Sequence, residues 1–178
     1  MELTAALLDL CKNEARSIIA IDGPAGAGKT TLANNLALAL AADLTVHVVH
    51  MDDLYNGWDA ALSSELTESL QHITSAHKAG KKISYSIYDW GRSEFEEAKE
   101  ISQTNLIILE GVGSGQSAIR PSISALIWID IAEKEGLARV LERDGAAIKN
   151  QMEKWLTQQD EHFRAEGTQN AADFILTT

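Results

Sequence analysis

A chain of 178 residues, 45% of them apolar, is long enough to close one hydrophobic core and short for two. Its formal net charge of −11 opposes a nucleic-acid partner, because affinity for a duplex or a single strand rests on basic residues that neutralise phosphates. A lone cysteine, Cys11, excludes an internal disulfide and a thiolate metal cluster, and it fits a reducing cytosol. The charge still leaves room for a nucleotide, since a nest of backbone N–H groups, one lysine and Mg2+ hold phosphates locally.

In chain order, MELTAALLDLCKNEAR carries Glu2 and Asp9 and no basic leader, so it reads as an amphipathic helix rather than a signal peptide. The longest apolar runs, at 18–21 and 106–109, are strand-sized and far below the roughly 20 residues that cross a bilayer. A cytoplasmic protein without a membrane partner is expected. Residues 17–22 (SIIAID) form a buried parallel strand ending in an acid and a glycine-rich turn. A helix starts at Lys29, with Leu32, Leu36 and Leu40 on one face.

Residues 44–50 (LTVHVVH) are the second strand, with Met51, Asp52, Asp53, Leu54 and Tyr55 at its exit. Leu62, Leu66, Leu70 and Ile73 mark a helix closed by Gly80. Residues 82–90 are a small strand or extended segment, and 94–102 read as a weakly amphipathic helix. Residues 105–110 are a third core strand, followed by a flexible GVGSG loop with Ser114 near the acceptor; 125–131 and 172–177 are two more strands. Helical patterns cover 133–143 and 148–165. The histidines, His47, His50, His72, His77 and His162, show no HExxH pattern, so zinc is not expected.

Gly23-Pro24-Ala25-Gly26-Ala27-Gly28-Lys29-Thr30 satisfies GxxxxGK[ST] between an apolar strand and an apolar-faced helix. In that motif the backbone N–H groups of Gly23, Ala25, Gly26, Ala27, Gly28, Lys29, Thr30 and Thr31 cradle phosphates. Lys29 reaches the β- and γ-phosphates, Thr30 ligates Mg2+, and the helix dipole faces the anion. With strands and helices alternating, the expectation is an α/β, three-layer P-loop NTPase fold: a mainly parallel five-stranded sheet with helices on both faces.

Phosphoryl transfer to an alcohol uses one carboxylate to take or orient the hydroxyl proton and a second acid to hold magnesium. Ligands in open α/β sheets bind beyond the carboxyl ends of strands, where Asp52 and Asp53 follow the second strand and Glu110 closes the third. A turn or helix cap is the plain alternative for the two aspartates, and a solvated strand end for Glu110. Arg139 and Arg143, four apart on a helix, face one side and meet transferring phosphates, or else pair with Glu135 and Glu142 on a solvated face. Tyr55, Trp58, Tyr88 and Trp90 cluster next to the acids, either to stack on a planar acceptor or to pack.

These residues together resemble the uridine kinase-like branch of P-loop nucleoside and small-molecule kinases. Asp52-Asp53-Leu54-Tyr55 is similar to that family's Asp-x-Phe-Tyr element, which implies Asp52 as base, Asp53 as a supporting acid at the metal and Tyr55 against the nucleoside. Tyr88-Asp89-Trp90 resembles its Tyr-Asp-Phe element in the substrate pocket. Leu109-Glu110-Gly111 resembles the strand-end Glu-Gly associated with magnesium, and Arg143-Asp144 the Arg-Asp of the lid, with Arg139 a looser match. The sequence departs where Gly91-Arg92-Ser93 replaces a histidine-containing continuation.

The resemblance implies one kinase domain over 1–178, with 52–102 a substrate-side insertion and 132–165 the lid and its following helix. It implies ATP and Mg2+, with catalytic Lys29, Asp52, Arg139 and Arg143, and a γ-phosphoryl transfer to a hydroxyl. Uridine-like nucleosides come first as acceptors, a sugar or other small alcohol next; a homodimer is left open. The rival reading is a nucleotide-dependent switch or ATPase without an acceptor. A GTPase would show an NKxD guanine motif, and the sequence has none.

Overall fold

The computed structural model describes residues 2–178. The chain runs α1 (Leu3–Lys12), β1 (Ser17–Asp22), α2 (Lys29–Leu40), β2 (Val46–His50), α3 (Ser64–Lys78), β3 (Ile83–Tyr85), β4 (Tyr88–Asp89), β5 (Glu94–Phe95), β6 (Lys99–Ile101), β7 (Leu106–Glu110), β8 (Ala125–Asp130), α4 (Glu133–Asp144), α5 (Lys149–Glu166) and β9 (Phe174–Thr177). Five strands form one parallel sheet in the order β2-β7-β1-β8-β9.

Both faces of this sheet are covered, which is why its central strands read as unbroken apolar runs. Side chains alternate between two cores. Ile18, Ile107 and Leu109 pack with Leu66, Leu70 and Ile73 of α3 and Trp155 of α5. Ile19, Ile21, Leu106 and Ile108 pack with Leu7 of α1 and Leu36 and Leu40 of α2. The buried stripe of α2 is Lys29, Ala33, Leu36 and Leu40, and Leu32 is only half-buried. The register sets Glu110 between Ile21 and His50, so the carboxyl ends of β1, β7 and β2 meet at one edge.

The helix expected over 94–102 is not formed. Instead β5 pairs antiparallel with β4, and β6 with β3, placing Ile101 opposite Ile83. Phe95, Ala98 and Ile101 give a helix here only a thin apolar stripe among charged residues, whereas Lys99-Glu100-Ile101 suits a half-solvated ribbon. Lys82 reaches across it to Glu100 at 2.7 Å. Among the described residues, no helix is long and apolar enough to cross a membrane.

Candidate functional site

The phosphate loop leaves β1 at Gly23 and enters α2 at Lys29. Its glycines answer to neighbours as well as to ligands. A Cβ on Gly26 would lie 2.2 Å from the carbonyl oxygen of Gly136, so α4 approaches the loop backbone to contact distance. Gly28 caps α2 with φ +91°, a left-handed conformation that L side chains resist, and faces open space above the helix N-terminus. Gln159 of α5, fully buried, accepts the Ala25 N–H at 3.0 Å and ties the loop to α5.

Lys29 is 8% exposed and donates to the Gly23 and Pro24 carbonyls, each at 2.8 Å. Burial lowers its pKa, opposed by Asp22, Glu110 and Asp52. Thr30 Oγ1 donates to Glu110 at 3.1 and 3.2 Å, and His50 Nδ1 lies 2.5 Å from Glu110 Oε1. That contact raises the His50 pKa, which favours an ion pair. The structure therefore joins the start of α2 with the ends of β7 and β2 through one 5% exposed carboxylate. A hydroxyl and a carboxylate in contact at a helix N-terminus are hard oxygen ligands of the kind that suits Mg2+.

Asp52 lines the cleft, and its carboxylate has no hydrogen-bond or ion-pair partner among the described residues. Although solvent reaches it, protein walls surround it on most sides, and this desolvation, followed by the charge of Glu110, raises its pKa. Asp53 is not among the cleft-lining residues; its pKa is also raised by burial.

The cleft has a volume of about 630 Å3 and continues from the loop to an aromatic wall of Tyr55, Trp58, Trp90 and Trp155. Trp58 meets Trp90 edge to face at 5.5 Å and Trp155 at 6.3 Å, and Tyr55 meets Trp155 at 5.4 Å. Trp90, 41% exposed, donates its indole N–H to the Asp52 carbonyl at 3.0 Å, so it is positioned by the very turn that carries the acid. The Tyr55 hydroxyl donates to the Val112 carbonyl at 2.7 Å. Arg139 and Arg143 both line the cleft. Arg139 pairs with Glu135 at 2.7 Å, as a helical neighbour should, while Arg143 takes Asp144 in two 2.6 Å bonds rather than Glu142.

Two members of the expected acceptor set lie elsewhere. Tyr88 is buried behind Trp90, edge to face with it and with Phe95. Asp89 is engaged by its own turn, accepting from the Gly91 and Arg92 N–H groups and pairing with the Arg92 guanidinium at 2.7 Å. The GVGSG loop is packed, and Ser114, fully buried, donates to the Ile21 carbonyl instead of facing the cleft.

Three residues escaped the sequence reading. Asp22, fully buried, accepts N–H bonds from Gly23 at 2.8 Å, Gly113 at 3.1 Å and Gly115 at 2.9 Å, binding the loop after β7 to the phosphate loop. Burial raises its pKa against these donors and Lys29, which lower it. The acid closing SIIAID was its signal. Trp155 and Gln159 sit on the buried stripe of α5 with Met152 and Leu156, an i, i+3, i+4, i+7 spacing present in the sequence.

Residues 17–175 match the CobW/HypB/UreG nucleotide-binding domain. The chain belongs to that family. The family includes GTPases that are not kinases. Among curated relatives, the uridine kinase of Ureaplasma parvum serovar 3 is 29% identical over 155 residues, covering 79% of this chain and 75% of that protein. A solved structure described as a possible uridine kinase from Bacillus stearothermophilus matches with a TM-score of 0.68 at 23% identity, over 99% of this chain and 100% of that one. The D-glycerate 3-kinase of Cryptococcus neoformans var. grubii serotype A matches with a TM-score of 0.55 at 11% identity, over 84% and 80%. The fold of this family member is thus the uridine kinase-like P-loop kinase fold.

Proposed function

We propose that this protein is a Mg-ATP-dependent phosphotransferase that moves the γ-phosphoryl group to a hydroxyl of a small molecule, with a uridine-like nucleoside the first acceptor to test. The observation that carries the reading is the unpartnered Asp52 carboxylate, set in one continuous cleft between the phosphate loop and the aromatic wall. A raised pKa brings a carboxylate closer to the basicity that general-base catalysis needs. A switch protein that only binds nucleotide has no use for an acid and a ring wall beyond the phosphates.

Backbone N–H groups of the loop hold the β- and γ-phosphates, and Lys29 turns from the loop carbonyls to the γ-phosphate. Thr30 and Glu110 would hold Mg2+, which when bound would neutralise charge on the phosphate oxygens, with Asp53 set back from the cleft as a supporting charge. Asp52 takes the hydroxyl proton as the acceptor oxygen bonds to the γ-phosphorus and the bond to the bridging oxygen breaks, releasing ADP. Arg139 and Arg143 answer the charge spread over the transferring group. Segment 52–102 is the acceptor-side insertion and 132–165 the lid with its helix.

The test is ADP or GDP release with Mg-ATP or Mg-GTP against nucleosides, sugars and other small alcohols, using Lys29→Ala as the blank. Release stimulated by one acceptor and lost in the variant supports the kinase. The family's GTPases favour a second reading, a nucleotide hydrolase without an acceptor; acceptor-independent GTP hydrolysis across a flat panel would replace the first reading with it.

A further inference from the structure

Ala25 is where the phosphate loop meets two helices. Gln159, 1% exposed, takes the Ala25 N–H at 3.0 Å, so the carboxamide atom facing the loop is the oxygen. From the other side α4 closes in, since a Cβ on Gly136 would lie 2.5 Å from the Ala25 carbonyl oxygen. The Ala25 backbone is thus fixed at its N–H by α5 and at its carbonyl by α4.

Gln159 does not line the cleft, yet its neighbours on the same face of α5 do. Trp155 and Met152 stand one and two turns before it on the buried stripe, and both line the cleft. Trp155 packs its ring against Tyr55 and Trp58 of the wall. Beyond Gln159 the helix is anchored by Arg120, whose guanidinium donates to the Glu166 carbonyl. One rod therefore joins the loop that holds the donor phosphates to the wall that faces the acceptor. Among the described residues, Gln159 makes the one side-chain hydrogen bond between that rod and the loop.

Phosphoryl transfer is sensitive to this spacing, because the attacking oxygen has to sit about 3–3.5 Å from the γ-phosphorus and in line with the bond that breaks. Water is the competitor, since Asp52 is open to solvent. When water takes the acceptor's place, its oxygen bonds to the γ-phosphorus and its proton passes to Asp52. The bridging bond breaks with its electrons going to ADP, and inorganic phosphate leaves.

We propose that Gln159 is a positioning residue that sets the separation between the phosphate loop and the acceptor wall, and so directs the γ-phosphoryl group to the acceptor rather than to water. The proposal rests on the phosphotransferase reading. Gln159 touches neither substrate; it acts through the Ala25 backbone.

The test turns over γ-labelled Mg-ATP with uridine, D-ribose or glycerol as acceptor and reads the ratio of label on the acceptor to label in inorganic phosphate. Only folded molecules contribute to that ratio, so a plain loss of stability leaves it unchanged. Gln159→Met keeps the length of the side chain and removes the accepting oxygen, and the ratio should fall at least about tenfold. The same fall is expected in Gln159→Ala, which removes the oxygen without asking the interior to take a sulfur. Gln158→Met, on the neighbouring half-buried position of α5, is the control and should leave the ratio at the wild-type value. A wild-type ratio in both Gln159 variants, or a fall matched by Gln158→Met, overturns the proposal and leaves the phosphotransferase reading standing. Label in inorganic phosphate alone in the wild type, with all three acceptors, removes that reading and the proposal with it.

Discussion

Along the loop side of the cleft the backbone does the holding, whereas along the far side ring surfaces do. Gly26 is fixed by Gly136, Ala25 by Gln159, and Gly23, Gly113 and Gly115 by Asp22, so the loop is held through groups it cannot lose without strain. The far side has only two direct ties from ring to chain, at Tyr55 and Trp90, and Trp90 remains well exposed. A loop built from backbone contacts suits a ligand group common to all nucleotides, and a wall built from replaceable rings is where an acceptor preference can change. Substitutions on the two sides should therefore fail in different ways.

The largest effect is expected at Asp52. Asp52→Asn should lower acceptor-dependent kcat by about 10²–10⁴-fold while leaving ATP affinity within a fewfold, as steady-state rates and nucleotide titration would show. Next is Gly26→Ala, which drives a Cβ into the Gly136 carbonyl; thermal unfolding should report a loss of about 1–3 kcal/mol, together with weakened nucleotide binding. Gln159→Ala leaves the Ala25 N–H unpaired and should cost about 1–3 kcal/mol of stability in denaturant titration, with the KM for ATP raised more than the KM for the acceptor.

How much of this asymmetry is legible in the sequence follows from the range of each signal. The phosphate loop is a local motif, and the strands beside it announce themselves because burial on both faces leaves unbroken apolar runs such as 18–21 and 106–109. Glu110 follows from where its run stops, and Asp52 from where the alternating strand VHVVH ends. Contacts made through α5 are different in kind: nothing local ties Gln159 to Ala25, 134 residues away. The ribbon at 94–102 has a string of Glu and Lys with good helix propensity, and its pairing with 83–89 is a tertiary choice that no local signal carries. Tyr88 and Asp89 look like site residues in one dimension, but the hairpin packs Tyr88 behind Trp90 and engages Asp89 in its own turn with Gly91 and Arg92.

The smallest expected effects are in pH dependence, and they again separate the regions. The raised pKa of Asp52 means that its base form is lost as pH falls through a value above the ordinary 3.8, so the acid limb of kcat/KM should lie above 3.8 and vanish in Asp52→Asn. His77 behaves oppositely in origin and acts on stability. Buried against the Ser17 carbonyl, its pKa is held below the ordinary 6.5 by burial. The unfolded chain then binds that proton first, so the stability His77 contributes is complete above about 6.5 and is lost as pH falls below it. Melting curves across that range should show a decline that His77→Gln flattens, without altering the kcat/KM limb.

The most direct measurement of the central claim is the fate of a labelled γ-phosphate. With γ-labelled Mg-ATP and an acceptor that stimulates ADP release, the label should appear as a phosphate ester on the acceptor hydroxyl, and Lys29→Ala and Asp52→Asn should each transfer it at least about 100-fold more slowly. Label found only in inorganic phosphate, whatever acceptor is added, would contradict the account and leave a nucleotide hydrolase in its place.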